Sequence, residues 1–566
     1  MRSISLFSVS LLTILCICTS GQAADTTEND SADKTTKEAV VKLDTIKDLQ
    51  KMAIEAGASE AAHWGWDKNL YTQWGSHSNR LIPVYTFGTK GSDKGVRLWD
   101  YAWKNSLYRS EANISRIYKK IPENTLNPEA QYLDQTNIYD LQLAALEAGK
   151  KHIFLVVFDG MDWQTTRAAS IHNLQKVAYE KGRGTGTHFQ DYTADGTSQF
   201  GYMVTSPHNE GSKTDVNKQT VLNPGGSRSG GYDVKLGGPT PWKAGSSDRY
   251  LIGKAIGDEN VHAYTDSASS AASMMCGIKT YNNAINVDAE GTPIASIAHR
   301  AQAEGYAVGA VSSVPISHAT PACAYAHNVH RNDYQDITRD LLGLPSIFHA
   351  ATPLQGLDVL IGAGHGSIKE KDSAQGENFV AGNIYLTDDD LKSVNVANGG
   401  NYIVAQRTEG VSGSENLQAA AVKAAKQSKR LFGYYGVGST KHLPFQTADG
   451  GYDPTNGRSK KSEKYTEADL HENPTLAEMT QAALTVIGQN PKGSWLLVES
   501  GDVDWANHDN NLDNSIGAVN SGDAAVKVIT DWVEKNSNWS ESVLIVTADH
   551  GHFLHLEKPE MLIADE

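Results

Sequence analysis

Continuous apolar runs recur along the chain, each closed by a turn or an acid. They are His152-Ile153-Phe154-Leu155-Val156-Val157-Phe158, Ala307-Val308-Gly309-Ala310-Val311, Val359-Leu360-Ile361-Gly362, Trp495-Leu496-Leu497-Val498-Glu499 and Val543-Leu544-Ile545-Val546-Thr547-Ala548. Runs that do not alternate with polar residues suit strands buried on both faces, as in a parallel sheet. Helical patterns lie between them, as at residues 476–484, and Asn473-Pro474-Thr475 reads as a helix start. This alternation predicts an α/β fold with a central, largely parallel sheet flanked by helices.

Three of the runs end in acids: Asp159, Glu499 and Asp549. Ligands of open α/β sheets bind beyond the carboxyl ends of the strands, and carboxylates gathered there repel one another unless cations hold them. Asp504 and His508 follow Glu499, while His550, His552 and His555 follow Asp549. Carboxylates mixed with imidazoles suit zinc, and oxygen ligands alone suit magnesium. Ser267 follows Asp266 and heads a run of small residues (Ala268-Ser269-Ser270-Ala271-Ala272) that suits a helix start. Unpaired N–H groups there would stabilise an anion, although an ordinary N-cap fits the same pattern.

With 566 residues the chain has room for a large enzyme domain and an added module. Its net charge of −16 argues against broad nucleic-acid binding, but a small anionic substrate needs only a local positive site. Residues 1–23 read as a secretory signal, with Arg2, an apolar stretch too short to span a membrane, and a cleavage point after Ala23. A periplasmic or secreted protein is expected, with no membrane span after signal removal. Cys16 and Cys18 fall inside the signal, leaving Cys276 and Cys323, for which one bridge or two buried thiols both fit. Residues 24–150 are read as a polar leader followed by an extension carrying Trp64, Trp66, Trp74, Trp99 and Trp103, aromatics expected to serve a core. Residues 151–566 form the expected catalytic domain. Within it, the Gly-, Ser- and Asn-rich stretch from about 183 to 262 reads as a long excursion from the sheet, and about 437 to 466 reads as a second polar loop.

In order and spacing, five motifs resemble the alkaline phosphatases of the bacterial and animal type. They are Phe158-Asp159-Gly160-Met161, Thr265-Asp266-Ser267-Ala268-Ser269-Ser270-Ala271, His318-Ala319-Thr320-Pro321-Ala322, Val498-Glu499-Ser500-Gly501 through Asp504 and His508, and Thr547-Ala548-Asp549-His550-Gly551-His552. The resemblance implies a three-layer sandwich and a phosphomonoesterase acting through a phosphoserine on Ser267. It implies one zinc on Asp159, Asp549 and His550, a second on Asp504 and His508, and a magnesium-type site on Asp159, Thr320 and Glu499. Arg331 falls where the family binds phosphate, Asp266 where an acid steadies that arginine, and a homodimer is compatible. His318 stands where some members carry an aspartate near the third metal, which admits a softer ion such as zinc or cobalt. Trp505 replaces a residue that is basic in others, so phosphate is expected to leave faster. The family completes its second zinc site with a histidine well downstream of the Asp549-His550 pair. The chain stops at Glu566, and the expectation is a C-terminally incomplete chain. The alternatives are a phosphodiesterase of the same superfamily or a non-catalytic member.

Overall fold

The computed structural model describes residues 44–89, 96–252 and 262–564; the expected signal and the leader up to residue 40 lie outside them. Ten strands form the main sheet. In chain order they are β1 (Ile82–Phe87), β2 (Leu133–Asp134), β3 (His152–Phe158), β4 (Gln199–Val204), β5 (Ala307–Pro315), β6 (Val359–Ala363), β7 (Tyr402–Gln406), β8 (Arg430–Tyr434), β9 (Ser494–Ser500) and β10 (Ser542–Ala548). The order across the sheet is β7-β8-β6-β5-β9-β3-β10-β1-β4-β2. Every neighbouring pair is parallel except the two involving β1, which runs against both β10 and β4.

The central strands β3, β9 and β10 are buried at every position, which is why their sequences carry no polar alternation. Two groups of helices meet this sheet. One joins α1 (Thr136–Glu147), α3 (Ser267–Cys276) and α4 (Ala319–Cys323). The other joins α2 (Trp163–Leu174), α6 (Gly413–Gln427), α7 (Leu476–Ile487) and α9 (Leu512–Asn536). At the predicted start of α7, Thr475 and Glu478 form a reciprocal capping box. The long helix α9 lies close on the sheet because Gly522 faces Phe158; a Cβ there would come within 2.2 Å of the ring.

Two elements depart from the expectation. The stretch from about 183 to 262 returns to the main sheet at β4, a six-residue strand hidden among glycine and serine. The tryptophan-rich N-terminal stretch supplies β1, and its Ala62–Trp64 pairs antiparallel with Leu554–Leu556. Trp64 and Trp74 are buried as expected, whereas Trp99 and Trp103 are exposed. Cys276 and Cys323 are both free and buried. No helix among the described residues is long and apolar enough to cross a membrane.

Candidate metal centre and phosphate site

The register of the three central strands brings their ends together. Phe158 of β3 lies opposite both Ser500 of β9 and Ala548 of β10, so Asp159 and Asp549 leave the sheet side by side, with Glu499 one residue back. All three acids are fully buried. The turn after β3 must be glycine: Gly160 has φ 74°, donates its N–H to Asp549 Oδ1 at 2.9 Å, and a Cβ on it would meet His552 at 2.8 Å.

Ser267 is the first residue of α3, and the N-cap is Asp266, which accepts from the Ser269 N–H at 3.0 Å. Freed from capping, the Ser267 hydroxyl sits 3.3 Å from Asp159 Oδ1 and 3.3 Å from His550 Nε2. His550 Nε2 also lies 3.4 Å from Asp549 Oδ2, so the three expected ligands converge beside the serine. Asp266 divides its carboxylate. One oxygen caps the helix and the other takes Arg331 Nη1 at 3.0 Å, tying the arginine to the serine's helix.

Asp504 and His508 lie on α8 (Asp502–His508), and a residue outside the sequence motifs joins them: His77. It sits just before β1, where Ser78 donates its N–H to the Gly551 carbonyl at 2.8 Å and so fixes the segment against the turn after His550. His77 donates Nδ1–H to the Thr265 carbonyl at 2.8 Å, and His508 donates Nδ1–H to the Gly75 carbonyl at 2.9 Å. Both Nε2 atoms are thereby left as bare lone pairs, and they face each other at 3.1 Å. Two lone pairs at that separation repel unless a cation lies between them and Asp504, whose Oδ1 is 3.9 Å from His77 and 3.5 Å from His508. His552, by contrast, donates Nε2–H to Asp504 Oδ1 at 2.7 Å; that nitrogen is spent on bracing the carboxylate.

Asp159, Glu499 and His318 form a third group. Asp159 Oδ2, Glu499 Oε1 and Thr320 Oγ1 are buried without a hydrogen-bond partner, the donor set a hard cation requires. Ser312 donates to the other Glu499 oxygen. His318 Nε2 accepts from Arg331 Nη2 at 3.1 Å, so in this arrangement the ring props the arginine and its hydrogen lies on Nδ1.

Electrostatics match this picture. Burial, reinforced by Asp549, Asp504 and Glu499, pushes the Asp159 carboxyl far up, and burial pushes Glu499 up to about 8 and Asp549 to about 6. Burial would also raise Asp504, yet His508, His552 and His550 hold it well below the usual carboxylate range. Burial, with the neighbouring histidines, drives His77 far down and keeps it neutral. Such acids hold protons where cations do not replace them. The residues present therefore fit divalent ions at three positions.

A cavity of about 400 Å³ opens onto Ser267, Arg331, His77 and His508. Trp505 lines it, as does Arg458 from the second polar loop, so a second guanidinium reaches the pocket from which Trp505 was expected to remove a cation.

The alkaline phosphatase family model matches residues 237–561, a span that includes Ser267, Arg331 and the ligands from Glu499 to His550 but neither Asp159 nor His77. Alkaline phosphatase 4 of Bacillus subtilis is 28% identical over 325 residues, 56% of each chain. Alkaline phosphatase H of Pseudomonas aeruginosa is 30% identical over 300 residues, 52% of this chain and 59% of that one. The Escherichia coli alkaline phosphatase is 29% identical over 322 residues, 56% of this chain and 64% of its own. The chain thus spans little more than half the length of the curated relatives it matches. A solved alkaline phosphatase from Thermus thermophilus aligns over 71% of this chain at 20% identity and a TM-score of 0.42.

Proposed function

The chain belongs to the alkaline phosphatase family, and from that premise we propose that it hydrolyses phosphate monoesters through a phosphoserine on Ser267. The observation that carries this reading is the position of the Ser267 hydroxyl, 3.3 Å from both Asp159 and His550 at the head of a helix, with Arg331 held to Asp266 beside it. Asp159, Asp549 and His550 would hold one zinc. Asp504, His508 and His77 would hold the second, with His77 in the role of the histidine expected beyond Asp549, which supports a catalytic over a non-catalytic reading. Asp159, Thr320 and Glu499 would hold a magnesium-type ion. When bound, these ions favour the serine alkoxide and neutralise charge on the phosphoryl oxygens.

The remaining chemistry belongs to the chain itself. Arg331, a planar fork kept in place by Asp266, grips two oxygens of a terminal phosphate. Ser267 Oγ bonds to phosphorus as the ester oxygen departs and takes a proton to leave as an alcohol. Water then attacks the phosphoserine from the side the alcohol vacated, Ser267 Oγ is released and reprotonated, and inorganic phosphate results. His552 keeps Asp504 oriented through both steps. Export through residues 1–23 completes the proposal and lies outside the described residues.

The test compares turnover of a nitrophenyl monoester with that of the matching diester, alongside Ser267→Ala. The monoester should be strongly preferred, and Ser267→Ala should lose nearly all turnover and all phosphate labelling of the protein. Undiminished turnover in that variant would overturn the mechanism, and preference for the diester would move the chain to the phosphodiesterases.

A further inference from the structure

Away from the strand-end acids, α5 (Tyr334–Leu342) and the loops on either side of it gather a second set of metal-ligating groups. A ring nitrogen of His327, one of His349 and a carboxylate oxygen of Asp340 lie within 4.8 Å of one another. We propose that His327, Asp340 and His349 bind a further divalent ion of the zinc class, which ties the loop carrying Arg331 to α5 and to the turn at His349.

The tautomer of His327 is the first support. Its Nε2–H donates to the Ile294 carbonyl at 3.0 Å, and a carbonyl can only accept, so Nδ1 carries a lone pair. That Nδ1 has no hydrogen-bond partner although the residue is only 6% exposed. A histidine that gives one N–H to a carbonyl, leaves its other nitrogen unpartnered and sits grouped with a carboxylate and a second imidazole has the outer-shell arrangement of a metal ligand. His299 shows the contrast. It stacks on His327 with ring centroids 5.2 Å apart, but its Nδ1 accepts the Ser296 N–H at 3.2 Å, so its Nε2 bears hydrogen and cannot coordinate.

The carboxylate is also held for the task. Asp340 is fully buried and accepts from the His327 main-chain N–H at 3.0 Å. His349 Nδ1 lies 3.0 and 3.1 Å from its two oxygens. Charge favours a cation, because Asp333 and Asp336 sit on the same helix start, each with one oxygen unpartnered, and Arg339 is shared between Asp336 and Asp390. Two imidazoles and one carboxylate leave a fourth position of a tetrahedral ion for water, and the partly exposed His349 ring gives access from solvent. Arg331 follows His327 by four residues, so the ion would steady the loop that presents it.

The experiment counts zinc per chain by mass spectrometry after loading and desalting, in the full chain and in His349→Asn, which keeps a donor toward Asp340. The variant should hold one zinc fewer, with its circular dichroism unchanged. Equal counts would overturn the proposal, whichever ions the phosphate site takes. A second measurement needs no variant: zinc should slow acylation of the His349 ring by diethyl pyrocarbonate, read by peptide mapping, at least about tenfold. An equal rate with and without zinc would show that His349 only hydrogen-bonds Asp340.

Discussion

His77 and His508 point their Nε2 lone pairs at each other across 3.1 Å, while each ring gives its Nδ1 hydrogen to a main-chain carbonyl. Among the described residues no hydrogen bond relieves that opposition; a shared cation does. His77→Ala should therefore weaken zinc binding by more than the roughly 10–100-fold typical of losing an outer-shell partner. His552→Ala, which removes only the brace on Asp504, should fall within that range. Zinc titration against a chelator of known affinity measures both, and equal losses in the two variants would contradict the division of roles.

Asp266 caps α3 with one oxygen and accepts from both Arg331 and the Asn283 N–H with the other, and one substitution separates the cap from the arginine. Asp266→Asn retains an acceptor for the Ser269 N–H and so keeps the cap of α3, but it discharges the contact with Arg331. Hydrogen bonds to charged groups contribute about 1.5–3 kcal/mol, so KM for a phosphomonoester should rise roughly 10- to 100-fold, while the melting temperature falls only modestly through the lost acceptor for the Asn283 N–H. A large fall in melting temperature at unchanged KM would mean that the pair holds the fold rather than the phosphate.

These roles differed in how far they could be seen in the sequence. The strands that end in Asp159, Glu499 and Asp549 are buried on both faces, so burial wrote itself into uninterrupted apolar runs. Ser267, Arg331 and most of the ligands stand at spacings a family motif carries. β1 was not legible, because Pro83 and the short run Ile82–Phe87 fit the one strand that opposes its neighbours. His77 was hidden for a related reason. It lies 431 positions from His508, and only the pairing of β1 with β10 and the Ser78–Gly551 contact bring it there. Arg458 comes from a polar loop whose composition said nothing of where it would fold.

The buried acids make the metal-free protein sensitive to alkali. Glu499 rises from 4.5 to about 8, so at neutral pH the folded chain keeps a proton that the unfolded chain has lost, and stability falls as pH climbs toward the folded value. The histidines act oppositely: His318, lowered from 6.5 to about 3, contributes stability that grows with pH and is complete by about 6.5. Between pH 6.5 and 8 the histidines no longer oppose the carboxyl effect. The melting temperature of metal-free protein should fall across that window, and zinc with magnesium should flatten the fall by taking the place of the protons. A metal-free melting temperature that rises with pH would refute this assignment.

The exchange of a basic residue for Trp505 predicted fast release of phosphate, and Arg458 changes that expectation. Its guanidinium lies against the Gly75 main chain, where a Cβ would come within 2.6 Å, and it lines the same cavity as Arg331 and Trp505. The main chain beneath it is fixed by the N–H donated to the Asp509 carbonyl at 2.6 Å. A second guanidinium facing the phosphate site should hold the product as well as the substrate. Arg458→Ala should then raise the inhibition constant for inorganic phosphate about tenfold, in line with the loss of one charge-assisted contact. The chemical step has no direct need of Arg458, so turnover at saturating substrate should stay level or increase where release limits it. Trp505→Lys should move phosphate inhibition the other way, toward tighter binding. If phosphate inhibits all three proteins equally, neither side chain contacts the product and Arg331 alone sets its affinity.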